Sequence, residues 1–190
     1  MAETPIWDEF LHCYPNSCLQ ASGELVGLQQ SKAGNSEAGH MNIGAGRVVP
    51  QDDVRLDIAM QDGSFYTNET FVRVIEDVKQ RNTSLHLIAL LTEKSSHGSI
   101  EYPLALLRMA KERGLEQVYV HVIFDGRSTE PGSAPDLLEK FEAQIDEIGV
   151  GHIVTGVGRG IALDRDGNYA KTQHAYDALV LGAGVKSYLK

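Results

Sequence analysis

The sequence predicts an α/β fold: a largely parallel sheet built from βαβ units, with helices on both faces. Three observations carry this expectation. Residues 85–91, 117–124 and 152–157 are apolar runs of strand length. Two amphipathic stretches separate them, 100–113 and the stretch opened by Ser133, and each is followed by a glycine, Gly114 and Gly149, suited to end a helix. Strands alternating with helices of this length have room for the crossover connections that parallel neighbours require.

The elements follow in order. Thr4 stands where an N-cap belongs and Pro5 at a first helical position, so a helix opens there. Its apolar residues Ile6, Trp7, Phe10, Leu11 and Tyr14 recur at helical spacing, and it ends near Pro15. A glycine-rich segment, 22–46, reads as loop with a short apolar stretch at Leu25-Val26. Residues 52–61 are weakly helical, Asp62-Gly63-Ser64 is a turn, and 67–81 is a firmer helix with Phe71, Val72, Ile75 and Val78 on one face. Beyond the third strand, 170–181 is expected to form a last helix. No internal repeat, low-complexity tract or unstructured linker interrupts the pattern.

The chain of 190 residues is 42% hydrophobic and 23% charged, the composition of a globular domain with a sizeable core. A net charge of −9 disfavours nucleic acid and anionic membrane surfaces as partners, so an anionic ligand must meet a local cluster of cations. There is no apolar run of about 18 residues for a membrane span and no secretion signal at the N-terminus, which leads to the expectation of a cytoplasmic protein. Cys13 and Cys18, beside His12, lack two further ligands at zinc spacing and read as free thiols.

In open α/β sheets, ligands sit beyond the carboxyl ends of the strands. Each predicted strand here is followed by a potentially cationic residue: His97 after the first, Arg127 in Asp125-Gly126-Arg127 after the second, Arg159 in Gly158-Arg159 after the third. Guanidinium groups at one edge suit a small phosphate or carboxylate, which they hold with two parallel hydrogen bonds. Arg165, in Asp164-Arg165-Asp166, is either a fourth ligand-facing cation or half of an ordinary turn ion pair. Asp125 is placed to fix its loop or the Arg127 side chain. Ser36 lies among Gly34, Gly39, Gly44 and Gly46, so its hydroxyl is unobstructed and is the candidate nucleophile. Such a serine needs a base or a metal ion to activate it. No such partner sits beside it in sequence, and His40, close by, is open to either a structural or a functional reading.

The run Ala33-Gly34-Asn35-Ser36-Glu37-Ala38-Gly39-His40-Met41-Asn42-Ile43-Gly44-Ala45-Gly46-Arg47 closely resembles the nucleophile segment of cofactor-independent (2,3-bisphosphoglycerate-independent) phosphoglycerate mutases. Thr4-Pro5-Ile6-Trp7-Asp8, Ala21-Ser22-Gly23, Asp125-Gly126-Arg127 and the stretch from Gly158-Arg159 to Asp164-Arg165-Asp166 extend the likeness over nearly the whole chain. The full family enzyme has two domains, is far longer and continues on both sides.

The resemblance implies a glycolytic isomerase that interconverts 3-phosphoglycerate and 2-phosphoglycerate through a phosphoserine. Ser36 then matches the phosphorylated nucleophile and one metal ligand, and His97, Arg127, Arg159 and Arg165 match substrate-binding positions. Two manganese ions serve the family, but their other ligands fall in segments before Met1 and after Lys190. Residues 1–50 correspond to the end of the first phosphatase-like segment and 51–190 to a partial transferase domain. Two departures stand out: Ser128 replaces a substrate-contacting aspartate, and Thr92-Glu93-Lys94-Ser95-Ser96 replaces the family's loop before His97. The chain is therefore expected to be inactive alone and to need the phosphatase half as a partner. It is either an excised piece or a short relative that keeps phosphoglycerate binding. A non-catalytic scaffold domain, and a phosphatase whose metal ligands come from another chain, are the readings from other classes.

Overall fold

A computed structural model describes residues 3–93, 95 and 97–185. The chain divides into two compact units, Met1–Arg55 and Leu56–Lys190.

The first unit opens with α1 (Pro5–Cys13), started by Pro5 as expected. The Thr4 hydroxyl does not cap it, donating instead to the Asp8 carboxylate at 3.2 Å. The apolar side of α1 faces solvent, with Ile6 and Trp7 61% and 62% exposed. A 3-10 turn, Gly23–Val26, ends at Gly27, whose φ of +77° and close approach to the Val49 carbonyl leave no room for a side chain. The rest of the segment read as loop contains a helix, α2 (Ser36–Ala45). Asn35 initiates it by accepting the Ala38 N–H at 2.8 Å, and Gly46 closes it in the left-handed conformation. Asn42 staples the unit: its amide donates to the Val26 carbonyl at 2.9 Å and accepts from the Val49 N–H at 2.8 Å. The unit boundary falls within α3 (Asp52–Asp62).

In the second unit a 3-10 turn, Ser64–Thr67, leads into α4 (Glu69–Gln80), which starts two residues later than expected because Asn68 accepts the Thr70 and Phe71 N–H groups. Then come β1 (Leu85–Leu91), α5 (Glu101–Glu112), β2 (Val118–Phe124), α6 (Ala134–Ile148) and β3 (His152–Gly158). A short α7 (Arg159–Ala162) and α8 (Tyr169–Tyr176) follow, and α8 continues as a π turn, Asp177–Leu181. Ser133 precedes α6 as expected, but its hydroxyl donates to the Glu130 carbonyl at 2.7 Å rather than capping. Gly149, at φ +78°, ends α6.

The sheet is parallel throughout, in the order β1-β2-β3. Right-handed crossovers that advance in one direction put α5 and α6 on the same face. On that face Leu85, Ala89 and Leu91 of β1 and Val118, Val120 and Val122 of β2 are buried with Leu104 and Leu107 of α5, Phe141 and Ile145 of α6, and Ile75 of α4. Each fully buried Leu, Val or Phe contributes roughly 1.5–3 kcal/mol, so this layer holds the unit together. The β2–β3 register slips between Val120 and His121, where Ile153 pairs with Val120 but Thr155 pairs with His121.

The other face carries His86, Ile88 and Leu90 of β1, Tyr119, His121 and Ile123 of β2, and Thr155 and Val157 of β3. Ile88 is 64% exposed. A polar chain crosses the strands here: His86 Nδ1 is 2.9 Å from His121 Nε2, and His121 Nδ1 is 2.8 Å from Thr155 Oγ1. Neutral His121 can donate with one nitrogen and accept with the other, as two polar neighbours require. Burial, and then the adjacent His86, pull the His121 pKa below its ordinary 6.5.

Two expectations follow from this packing. Gly151 has φ +113°, and an added Cβ would stand 2.8 Å from Leu107 Cδ2 in the core. Gly151→Ala is expected to cost roughly 1–3 kcal/mol in urea unfolding, and an unchanged midpoint would contradict the packing. Below pH 6.5 the unfolded chain binds more protons than the folded one at His121. Its stabilisation is thus complete above 6.5 and is lost as pH falls from there through the depressed folded value. His121→Gln should flatten that slope in a series of unfolding curves, and an unaltered slope would assign it to other groups.

Candidate functional site

The carboxyl ends of the three strands lie along one edge, and the following loops are fixed locally. After β1, Ser95 and Gly98 form an isolated antiparallel bridge, with Ser95 N–H donating to the Gly98 carbonyl at 2.9 Å. The Ser95 hydroxyl accepts the His97 N–H at 3.2 Å, so His97 sits at the tip of a tied turn. Lys94 and Ser96, in the altered stretch before His97, lie outside the described residues. After β2, Asp125 is buried, Gly126 adopts φ +59°, and the Ser128 N–H donates to Asp125 Oδ2 at 3.1 Å. Thr129 Oγ1 accepts the Gly126 N–H at 3.1 Å, which closes the turn around Arg127. After β3, Arg159 is the first residue of α7 and forms an ion pair with Asp125 Oδ1.

His97, Arg127, Arg159 and Arg165 come together. With Ile88, Leu90, Ile123 and Leu163 they line a concavity of 420 Å³ at the carboxyl end of the second sheet face. The floor is apolar and the walls are cationic, the composition of a pocket that orients a small anion. Among the described residues, Arg127 and Arg165 have no ion-pair partner. The turn ion pair considered for Arg165 is not formed: Asp164 accepts the Asn168 N–H at 2.9 Å and pairs with Lys171 at 3.5 Å. Ser128 does not line this concavity; it faces a neighbouring one of 380 Å³ with Thr92, Glu93 and Lys140. Asp125 engages Arg159 rather than the Arg127 side chain. Sequence reasoning missed the floor, since a continuous apolar strand reads as buried on both faces; only the alternation of Ile88 and Leu90 with Ala89 and Leu91 carried the signal.

Ser36 lies in the first unit, exposed, as the first residue of α2. Its Oγ is 3.2 Å from His40 Nδ1, but the same nitrogen is 2.6 Å from the Ser36 carbonyl oxygen. A carbonyl only accepts, so Nδ1 carries the proton and cannot take one from the hydroxyl in this arrangement. Among the described residues no three His, Cys, Asp or Glu side chains gather to hold a metal ion, so the donor set does not fit a two-metal centre. Cys13 and Cys18 are exposed free thiols, and no helix among the described residues is long and apolar enough to cross a membrane.

A parallel α/β unit with four basic side chains gathered at its carboxyl edge has the architecture of an open α/β domain. The chain belongs to the family described as BPG-independent PGAM N-terminus, whose model matches residues 56–190. The 2,3-bisphosphoglycerate-independent phosphoglycerate mutase of Clostridium perfringens strain SM101 is 43% identical over 186 residues, 98% of this chain and 36% of that protein. The enzyme of the same name from Acaryochloris marina is 47% identical over 179 residues, 94% of this chain and 34% of its own length. A crystal structure of Leishmania mexicana phosphoglycerate mutase at low cobalt concentration superposes with a TM-score of 0.80 at 30% identity, covering 96% of this chain and 35% of that one. The chain thus spans about a third of the length of the curated relatives it matches.

The cap on α2 yields an expectation of its own. Asn35→Ala removes the acceptor of the Ala38 N–H and should cost about 1 kcal/mol, with faster amide exchange at Ala38. Unchanged exchange would show that the cap does not hold the serine-bearing turn.

Proposed function

We propose that this chain is the nucleophile segment and substrate-binding part of a cofactor-independent phosphoglycerate mutase. The activity is the interconversion of 3-phosphoglycerate and 2-phosphoglycerate in glycolysis, in the cytoplasm. The convergence of His97, Arg127, Arg159 and Arg165 on one concavity carries this reading. The guanidinium groups hold the carboxylate and hydroxyl end of the glycerate by charge-assisted hydrogen bonds, and the apolar floor excludes water from its far side.

Ser36 Oγ is the phosphoryl acceptor. Its bond to phosphorus forms as the substrate's ester bond breaks, and the reverse transfer to the other glycerate hydroxyl completes an isomerisation with no net change in atoms. The N-terminus of α2 favours the negative charge that Ser36 then carries. In a complete enzyme, Ser36 would be the one ligand this chain gives to two manganese ions, which would supply activation of the hydroxyl and neutralisation of the phosphoryl charge. This chain offers Ser36 to them and, among its described residues, no cluster that would hold them. The chain is accordingly inactive alone and requires the phosphatase half. That deficit, with Ser128 in place of the family's aspartate, favours one second reading, a phosphoglycerate-binding domain without catalysis.

Calorimetric titration with 3-phosphoglycerate tests the proposal. Saturable binding is expected, weakened about tenfold or more in Arg127→Ala, the loss typical of a charge-assisted hydrogen bond. Mutase turnover in excess manganese is expected only when a metal-binding half is added. Turnover restored by that half supports the enzyme reading, and binding without restored turnover supports the second. No binding would sink both.

A further inference from the structure

We propose that Asp125 is a positioning residue for the cationic pocket, acting through Arg159 and through the turn that carries Arg127; this rests on the anion-binding reading above. Asp125 stands at the end of β2 with its side chain fully buried. Both of its oxygens are engaged, Oδ1 by Arg159 from the loop after β3 and Oδ2 by the Ser128 N–H of its own turn. One carboxylate therefore fixes the side chain of one arginine and the backbone that holds the next.

The placement of the carboxylate matters as much as its bonds. Arg159 lines two concavities, the 420 Å³ one with the other cations and a second of 370 Å³. Asp125 lines only the second. It anchors one Nη of the guanidinium, and its carboxylate is not part of the lining that Arg159 shares with the other cations. Arginine has five N–H donors in a rigid fork, so anchoring one Nη fixes the direction of the rest. A buried ion pair contributes little net stability compared with an apolar pair of the same volume, which leaves geometry as the reason for this one.

The sign of one substitution separates positioning from simple charge. Asp125→Asn removes a negative charge from behind a cationic site, and a purely electrostatic role would tighten anion binding. Positioning predicts the reverse: about tenfold or more weaker binding of 3-phosphoglycerate. In an Arg159→Ala background the Asp125→Asn change should weaken binding by less than it does alone, because part of its effect has no residue left to act through. Calorimetry on the 190-residue chain and the three variants reads both outcomes, with thermal melts to establish folding. Should the amide variant not fold, Asp125→Glu keeps the charge and shifts it by one methylene, and weakened binding is again expected. Equal or tighter binding by the single variant, or full additivity with Arg159→Ala, overturns the positioning role and leaves the proposed function standing. Absence of binding by the unaltered chain overturns both.

Discussion

Parallel pairing of three strands in chain order is the constraint on which the second unit depends. It sends every loop that follows a strand to the same edge, so residues more than sixty positions apart in the chain, from His97 to Arg165, share one space. The same constraint separates the work of the two sheet faces. One face is committed to the α4–α5–α6 layer and its apolar contacts, while the other retains polar and half-exposed side chains. The core and the concavity are thus drawn from alternate residues of the same strands, Leu91 and Ala89 for the first, Leu90 and Ile88 for the second.

A cationic concavity in a chain of net charge −9 requires that acidic groups be kept out of its lining. Among the described residues none lines the 420 Å³ concavity, and two that stand near its lining in sequence are occupied elsewhere, Asp125 with Arg159 and Asp164 with Lys171 and Asn168. Local arrangement outweighs the overall charge because the field of a screened surface charge fades within about 10 Å.

Much of this was legible in the amino-acid sequence. The strands were visible as apolar runs, and the edge residues followed from counting loops after strands. Helix α2 was not legible, because Gly39 and Gly44 interrupt any apolar stripe and the helix depends on Asn35 and Gly46 at its ends. The partner of Asp125 was illegible for a different reason: it comes from the neighbouring strand, whose register no local pattern encodes. The Ser133 cap failed on the detail of one hydroxyl's direction, a choice between two nearby carbonyl and amide groups that residue type does not decide. The role proposed for Ser36 rests on resemblance, since nothing beside it in sequence identifies what would activate it.

The register slip in β3 changes the parity of the strand. Val154 is the extra residue, and beyond it every side chain of the strand has exchanged sides relative to an uninterrupted ladder. In an uninterrupted ladder Val154 would stand where Thr155 now meets His121, and the residue leading into α7 would emerge turned half a pleat away from Asp125. The chain therefore counts in twos up to its third loop, and a single odd residue sets on which side of the sheet that loop's arginine begins.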